Sequence, residues 1–137
     1  DKPDARASDA LILALKDSNW RVRDDAAWAL GQLRDPRAAD NLLKLWDDPV
    51  GDVQQSVRHA LTRIGDLRII PRLVAELDSS QEWVRYESAL LLRQIGDETA
   101  LPALDHLAAT HHGTSPNADV RGAARAAAHT IRIRLGQ

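Results

Sequence analysis

The chain has 137 residues, near the usual length of one domain and long enough to bury a hydrophobic core. Lys plus Arg total 18 against 20 Asp plus Glu, so the net charge of −2 gives no general attraction to nucleic acid or anionic membranes. The chain has no Cys, which excludes disulfides and thiol chemistry, and no apolar run reaches the roughly 20 residues that span a bilayer. We therefore expect a cytoplasmic protein that does not enter membranes.

The first predicted element is a helix over residues 4–17, and its pattern returns three times along the chain. The four copies are "DARASDALILALKD" at 4–17, "DPRAADNLLKLWDD" at 35–48, "DLRIIPRLVAELDS" at 66–79 and "DETALPALDHLAAT" at 97–110. The equivalent leucines are 31 residues apart, at Leu11, Leu42, Leu73 and Leu104. A fixed period of this length indicates a repeat architecture. We name these four segments the B helices.

A second helical pattern alternates with the B helices, and we name its four copies the A helices. The first copy has apolar residues at i, i+4, i+7, i+8 and i+11, which form one face of a helix: Val22, Ala26, Ala29, Leu30 and Leu33. The last copy follows the third by 36 residues instead of 31, because five residues are inserted in "ATHHGTSPNAD" at 109–119. Gly65 and Gly96 are expected to end A helices, and the Asp that follows each to cap the next B helix.

These elements predict an all-α fold of about eight helices in a single domain over residues 1–137. The predicted parts are a B helix at 4–17, full units at 20–48, 52–79 and 82–110, a final A helix at 119–135, and an insertion loop at 109–119. Pro71 and Pro102 predict that two B helices begin late, near 68–70 and 99–101. A pair of such short helices cannot bury its apolar face alone, so we expect the copies to stack into one core.

The segments "VRDDAAWALGQLRDPRAADNLLKL" and "VRYESALLLRQIGDETALPALDHL" resemble the short HEAT-like repeats of the phycobilisome-lyase type. The constant spacing is also similar to that of artificial HEAT-like repeat scaffolds. The resemblance implies a right-handed α-solenoid, with A helices on the convex side and B helices on the concave side. It also implies that the "VR" arginines (Arg23, Arg85, Arg121) and the turn aspartates (Asp35, Asp66, Asp97) form a ladder between repeats, which Gln54 would interrupt.

Catalytic and metal-binding patterns are weak in this sequence. Iron enzymes of the broad family carry His-Glu pairs, whereas none of the five His residues here precedes a Glu. The best metal candidate is the group Asp105, His106, His111 and His112, but its spacing matches no recognised ligand motif. The chain has neither a Gly-x-Ser-x-Gly elbow nor a Gly-rich phosphate loop. We expect no enzyme activity, no cofactor and no metal.

The tryptophans and the basic residues also have structural interpretations. Trp46 takes the place of Leu77 in the core, and Trp28 is predicted to be half-buried against the next repeat. Trp20 and Trp83 stand at helix starts. Basic and acidic residues nearly balance on the B helices, so nucleic-acid binding ranks third among the functional classes. The arginines of the last helix are interpreted as a solvated face near a helix C-terminus.

The remaining feature is an outward B-helix surface that differs from copy to copy while the core positions hold. The leading prediction is a non-catalytic scaffold or adaptor that binds a protein partner on the concave B-helix surface. The candidate partner-binding residues are Asn41, Lys44, Arg72 and His106, with His111 and His112 in the insertion. The alternative is a repeat domain or subunit of a lyase-type enzyme complex that acts with a partner.

The two ends form the last predicted feature. Leu13 is out of phase with the core face of its helix, and Ile131 and Leu135 have no following B helix to cover them. Uncovered apolar ends favour association. We therefore expect these ends to be covered by further sequence or by self-association of copies.

Overall fold

The computed structural model describes residues 5–110 and 119–137, and these form two compact units, Asp1–Asp66 and Leu67–Gln137. The described residues contain eight α-helices and no strand. The helices are α1 (Ala5–Ala14), α2 (Trp20–Leu33), α3 (Ala39–Leu43), α4 (Gly51–Ile64), α5 (Ile69–Glu76), α6 (Glu82–Ile95), α7 (Leu101–Thr110) and α8 (Val120–Arg134). The odd-numbered helices are the B helices and the even-numbered ones the A helices. The predicted all-α repeat fold is confirmed, whereas the single-domain assignment stays a prediction.

The two prolines set the starts of the later B helices, as the sequence indicates. Helix α5 begins at Ile69 and α7 at Leu101, so Pro71 and Pro102 both lie in a first turn. Proline is tolerated there because the N–H groups of the first turn have no partner within the helix. A short 3-10 helix, Glu98–Ala100, precedes α7, and the Asp97 carboxylate caps it by accepting from the Thr99 N–H at 3.0 Å.

The first unit is built around the packing of α2 on α4, with α1 on α2 and α3 on α4. Its fully buried side chains include Leu30, Leu42, Val53, Val57 and Leu61. Helices α2 and α4 approach closely where Gly31 meets Ala60, because a Cβ on Gly31 would lie 2.9 Å from the Ala60 Cα. Small residues at this crossing allow the two longer helices to share one core.

The second unit repeats the arrangement, with α6 and α7 packed on α8 and α5 packed on α6. Its buried side chains include Ile69, Leu73, Leu91, Leu92 and Leu104.

The predicted exposure of the ends is correct for Leu13 and Leu135 and wrong for Ile131. Leu13 is 70% exposed and Leu135 42%. Ile131 is 1% exposed, because its Cδ1 lies where a Cβ on Gly96 would approach within 2.9 Å, so the turn after α6 covers it. Association of copies through these ends stays a prediction.

The turns that lead from a B helix into an A helix share one hydrogen bond. In each, a side chain near the start of the A helix donates to a carbonyl at the end of the preceding B segment. The four pairs are Arg23–Asp17 at 2.8 Å, Gln54–Asp48 at 2.6 Å, Arg85–Ser79 at 2.5 Å and Arg121–Ala108 at 3.1 Å. We name this the turn bond. It satisfies a carbonyl that the helix end leaves without an intrahelical partner.

The predicted ladder between "VR" arginines and turn aspartates is wrong. Arg23 pairs through two hydrogen bonds, at 2.9 and 3.2 Å, with Asp48 and not with Asp35. The Asp35 carboxylate instead accepts from Arg37, two residues further on. Gln54 is not an interruption, since it makes the same turn bond as the arginines.

Asp35 is the buried cap of a short 3-10 helix, Pro36–Ala38, that leads into α3. It is 2% exposed, accepts from the Arg37 N–H at 3.0 Å and pairs with the Arg37 guanidinium at 2.5 Å. The hydrogen bond from the Arg37 side chain holds the pKa of the Asp35 carboxyl well below its usual range. The ionised form of this residue therefore stabilises the folded chain.

We expect Asp35→Asn to lower the free energy of unfolding near neutral pH and to matter less in acid. Because the folded pKa is depressed, the stabilisation is complete above the unfolded pKa of about 3.9 and declines as pH falls toward the lower folded value. Urea unfolding at pH 7 and pH 3 measures this difference between the variant and the unmodified chain. The exposed Asp47→Asn is the control. A difference for Asp35→Asn that is as large at pH 3 as at pH 7 would contradict the assignment.

Truncation of a core leucine should test the repeat core of the second unit. Leu73 is 0% exposed, so Leu73→Ala should lower the free energy of unfolding by about 2–5 kcal/mol. The matched control is Leu67→Ala, which removes a leucine that is 67% exposed and should change stability by less than about 0.5 kcal/mol. Urea unfolding followed by circular dichroism measures both. A loss below about 1 kcal/mol for Leu73→Ala would show that this leucine is outside the core.

Candidate protein-binding groove

A groove of about 740 Å³ lies between the B helices α5 and α7 of the second unit. We name it the B groove. One wall is formed by α5 and its following turn, with Val74, Leu77, Asp78 and Ser79. The other wall is formed by α7, with Pro102, Ala103, His106, Leu107 and Thr110, and Arg85 of α6 completes the lining. The B groove therefore joins two successive repeats.

Helical periodicity gives the B groove an apolar floor and a polar rim. Leu73 and Leu104 face the core at 0% exposure, while Leu77 and Leu107 close the floor at 4% and 7%. His106 is exposed at the rim. Such a combination of apolar floor and sparse polar groups is typical of a site that binds an apolar side chain and orients it.

Arg85 supplies a buried hydrogen-bond donor to the groove. Its Nη1 makes the turn bond to the Ser79 carbonyl, whereas its Nε is buried and has no acceptor among the described residues. A buried donor without an acceptor costs free energy that an incoming acceptor recovers. Thr110 at the other end of the lining donates its hydroxyl to the His106 carbonyl at 2.7 Å, so it does not serve Arg85.

The predicted partner-binding residues fall in different parts of the chain. His106 lies in the B groove, and Arg72 is exposed on α5 but does not line the groove. In the first unit Asn41 is half-buried on α3, and Lys44 is exposed at its C-terminal end. His111 and His112 lie outside the described residues. The role of all six in binding stays a prediction.

Sequence reasoning missed Arg85 and the apolar walls of the B groove. Arg85 was assigned to the ladder, so its second donor was not considered a binding group. The signal that the sequence offers is an offset of 25 residues. Arg23 and Asp48 are separated by it, and so are Arg85 and Thr110.

The four tryptophans differ in their environments. Trp46 is 4% exposed, and the Arg58 guanidinium lies 4.4 Å from its ring centroid, which confirms its predicted core position. Trp28 is 62% exposed, so its predicted burial against the next repeat is wrong. Its ring instead lies at the edge of a smaller groove of about 280 Å³ between α2 and α4, whose lining includes Gly31 and Ala60. The small side chains that let the helices cross leave this space beside the indole.

The basic residues of α8 bond within the second unit. Arg121 makes the turn bond, Arg132 pairs with Asp105, and Arg134 donates to the carbonyls of Gln94 and Gly96 at 2.7 and 3.2 Å. These contacts tie α8 to its neighbours, which agrees with a structural interpretation of the charges.

The metal candidate contributes an ion pair in the part that the structure describes. Asp105 is bound by Arg132, and residues 5–110 and 119–137 contain no group of three or more side chains arranged to hold a metal ion. None of the helices in these ranges is long and apolar enough to cross a bilayer.

The fold and the groove define a class, the all-α repeat proteins that present a groove between successive B helices. Residues 1–62 and 51–129 match the family model of HEAT repeats, and the chain belongs to this family. None of the curated proteins compared with the sequence is similar to it.

Two solved structures are similar to the chain. One is the complex of CpcE and CpcF of phycocyanin lyase from Nostoc sp. PCC7120, with a TM-score of 0.75 and 25% identity over 92% of this chain. The other is the crystal structure of an engineered protein, with a TM-score of 0.63 and 23% identity over 92% of this chain. The chain spans 53% of the first solved chain and 62% of the second.

Titration with Zn²⁺ or Ni²⁺ should give no saturable heat, because Asp105 is already paired with Arg132. Isothermal calorimetry of the unmodified chain measures this. The matched control replaces His106, His111 and His112 with Ala and should give the same flat titration. A saturable heat in the unmodified chain that the triple variant lacks would establish the metal site.

Proposed function

We propose that the chain is a non-catalytic scaffold that binds a protein partner on its B-helix surface, with the B groove of the second unit as the principal contact. The observation that carries this proposal is the B groove itself: Leu77 and Leu107 form its floor, and the Arg85 Nε is a buried donor without an acceptor in the described chain. A preformed groove binds with little loss of conformational entropy.

The dimensions of the B groove suit a segment of a protein chain. Its volume of about 740 Å³ falls within the roughly 300–1,000 Å³ of ordinary binding sites, which accommodates several side chains. The apolar floor favours an aliphatic or aromatic side chain of the partner. The polar rim, with Asp78 and His106, then fixes the register of the bound segment.

A second candidate function is a subunit of an enzyme complex that acts together with a partner. The similarity to a complex of two phycocyanin lyase proteins favours it. The two proposals agree that a protein partner binds and differ in whether the assembled complex performs a reaction. A pigment or metal that co-purifies with the partner would favour the enzyme complex.

Blocking the B groove should remove the partner. Ala103 is half-buried in the groove wall, so Ala103→Arg introduces a bulky charge into the apolar space. The matched control is Ala126→Arg, which makes the same change at a half-buried alanine of α8 outside the groove lining. Affinity capture from the source lysate, quantified by mass spectrometry, measures the retained partner.

We expect a specific protein to be captured by the unmodified chain and by Ala126→Arg, and its yield to fall about tenfold or more with Ala103→Arg, a loss of about 1.4 kcal/mol in binding free energy. Circular dichroism of both variants checks that they remain folded. Equal capture by the two folded variants would show that the B groove is not the contact.

A further inference from the structure

The two units differ at one pair of equivalent positions beside the turn bond. Arg23 and Arg85 are 62 residues apart, twice the repeat of 31, and both make the turn bond. The position that pairs with Arg23 is Asp48, and the residue 62 positions after it is Thr110. The repeat therefore places a carboxylate beside the first arginine and a hydroxyl at the corresponding place beside the second.

In the first unit the carboxylate completes the hydrogen bonding of the arginine. Asp48 accepts from the Arg23 Nε at 2.9 Å and from its Nη2 at 3.2 Å, and the Asp48 side chain is 3% exposed. This is the two-bond geometry that a guanidinium makes with a carboxylate. Asp48 also accepts from the Val50 N–H at 2.9 Å, which fixes the carboxylate in place.

In the second unit the same arginine position lacks this carboxylate. The Arg85 Nε is buried without an acceptor among the described residues, although Asp78 lines the same groove. The Thr110 hydroxyl is directed to the His106 carbonyl of its own helix. Both Arg85 and Thr110 line the B groove, so the unfilled acceptor position opens into the space that we propose for the partner.

We infer that the B groove binds an acidic segment of the partner, whose Asp or Glu carboxylate bonds to Arg85 as the Asp48 carboxylate bonds to Arg23. This inference rests on the proposed function and adds the chemistry of the partner to it. An apolar side chain adjacent to the acidic residue contacts the floor at Leu77 and Leu107. The buried Nε makes the site prefer a carboxylate to an amide, because a guanidinium with a charged acceptor forms the stronger hydrogen bonds.

The test uses two blocked hexapeptides, Gly-Ser-Leu-Asp-Ser-Gly and its Asn counterpart Gly-Ser-Leu-Asn-Ser-Gly. Binding is followed by NMR through the Nε–H resonance of Arg85, which is assigned from the spectrum of Arg85→Lys. We expect saturable binding of the Asp peptide with a Kd on the order of 1 mM and binding of the Asn peptide about tenfold weaker.

The decisive variant is Thr110→Asp, which places an internal carboxylate at the position of Asp48, and its matched control is Thr110→Asn. Thr110→Asp should raise the melting temperature and weaken the Asp peptide about tenfold or more, because Arg85 is then satisfied within the chain. Thr110→Asn should keep the preference for the Asp peptide.

Two results would overturn the acidic-segment inference: equal affinities for the Asp and Asn peptides, or binding of the Asp peptide that Thr110→Asp leaves unchanged. The absence of saturable binding by the Asp peptide would overturn it as well. The scaffold proposal is tested separately, since capture of the partner and its loss with Ala103→Arg do not depend on the charge of the bound segment.

Discussion

A two-helix repeat of this length cannot enclose a core by itself, and the structure depends on the packing that solves this problem. The A helices α2 and α4 pack together in the first unit, as α6 and α8 do in the second. Each A helix has 14 or 15 residues, whereas α3 has five and α5 has eight. The longer helices therefore supply most of the buried surface, and the short B helices contribute a few leucines each. The outward faces of the B helices are then free to vary without loss of the core.

Short B helices place unusual demands on the turns that follow them, because a helix end leaves carbonyls without partners. The turn bond satisfies one of these carbonyls in each of the four turns, and it accepts either an arginine or a glutamine as donor. An arginine has donors left over after the bond is made, whereas a glutamine amide has fewer. The choice of arginine at Arg23 and Arg85 thus leaves a guanidinium edge that a carboxylate must satisfy, and only Arg23 has one in the described chain.

The sequence predicts the helices well because their determinants are local and periodic. The 31-residue spacing and the positions of Pro71 and Pro102 suffice for the fold class and for the starts of α5 and α7. The ladder failed because a resemblance between families does not specify which carboxylate an arginine reaches. Asp35 has a nearer donor in Arg37, two residues away. The exposure of Trp28 was missed because it depends on how closely α2 and α4 cross at Gly31, which no single-helix pattern contains.

The B groove was beyond sequence reasoning for a related reason. Its walls come from α5 and α7, and its buried donor comes from the intervening helix α6, so no one segment carries the pattern. A repeat protein nevertheless contains its own comparison, since each position has equivalents at a known offset. Where the equivalents keep both partners of a bond, as at Arg23 and Asp48, the bond stabilises the fold. Where one partner is replaced and the other stays buried, as at Thr110 and Arg85, the remaining group has lost its structural acceptor and its retention needs another cause. The turn bond accounts for Nη1 of Arg85 but not for its Nε. A partner's carboxylate accounts for both the buried donor and the open groove beside it.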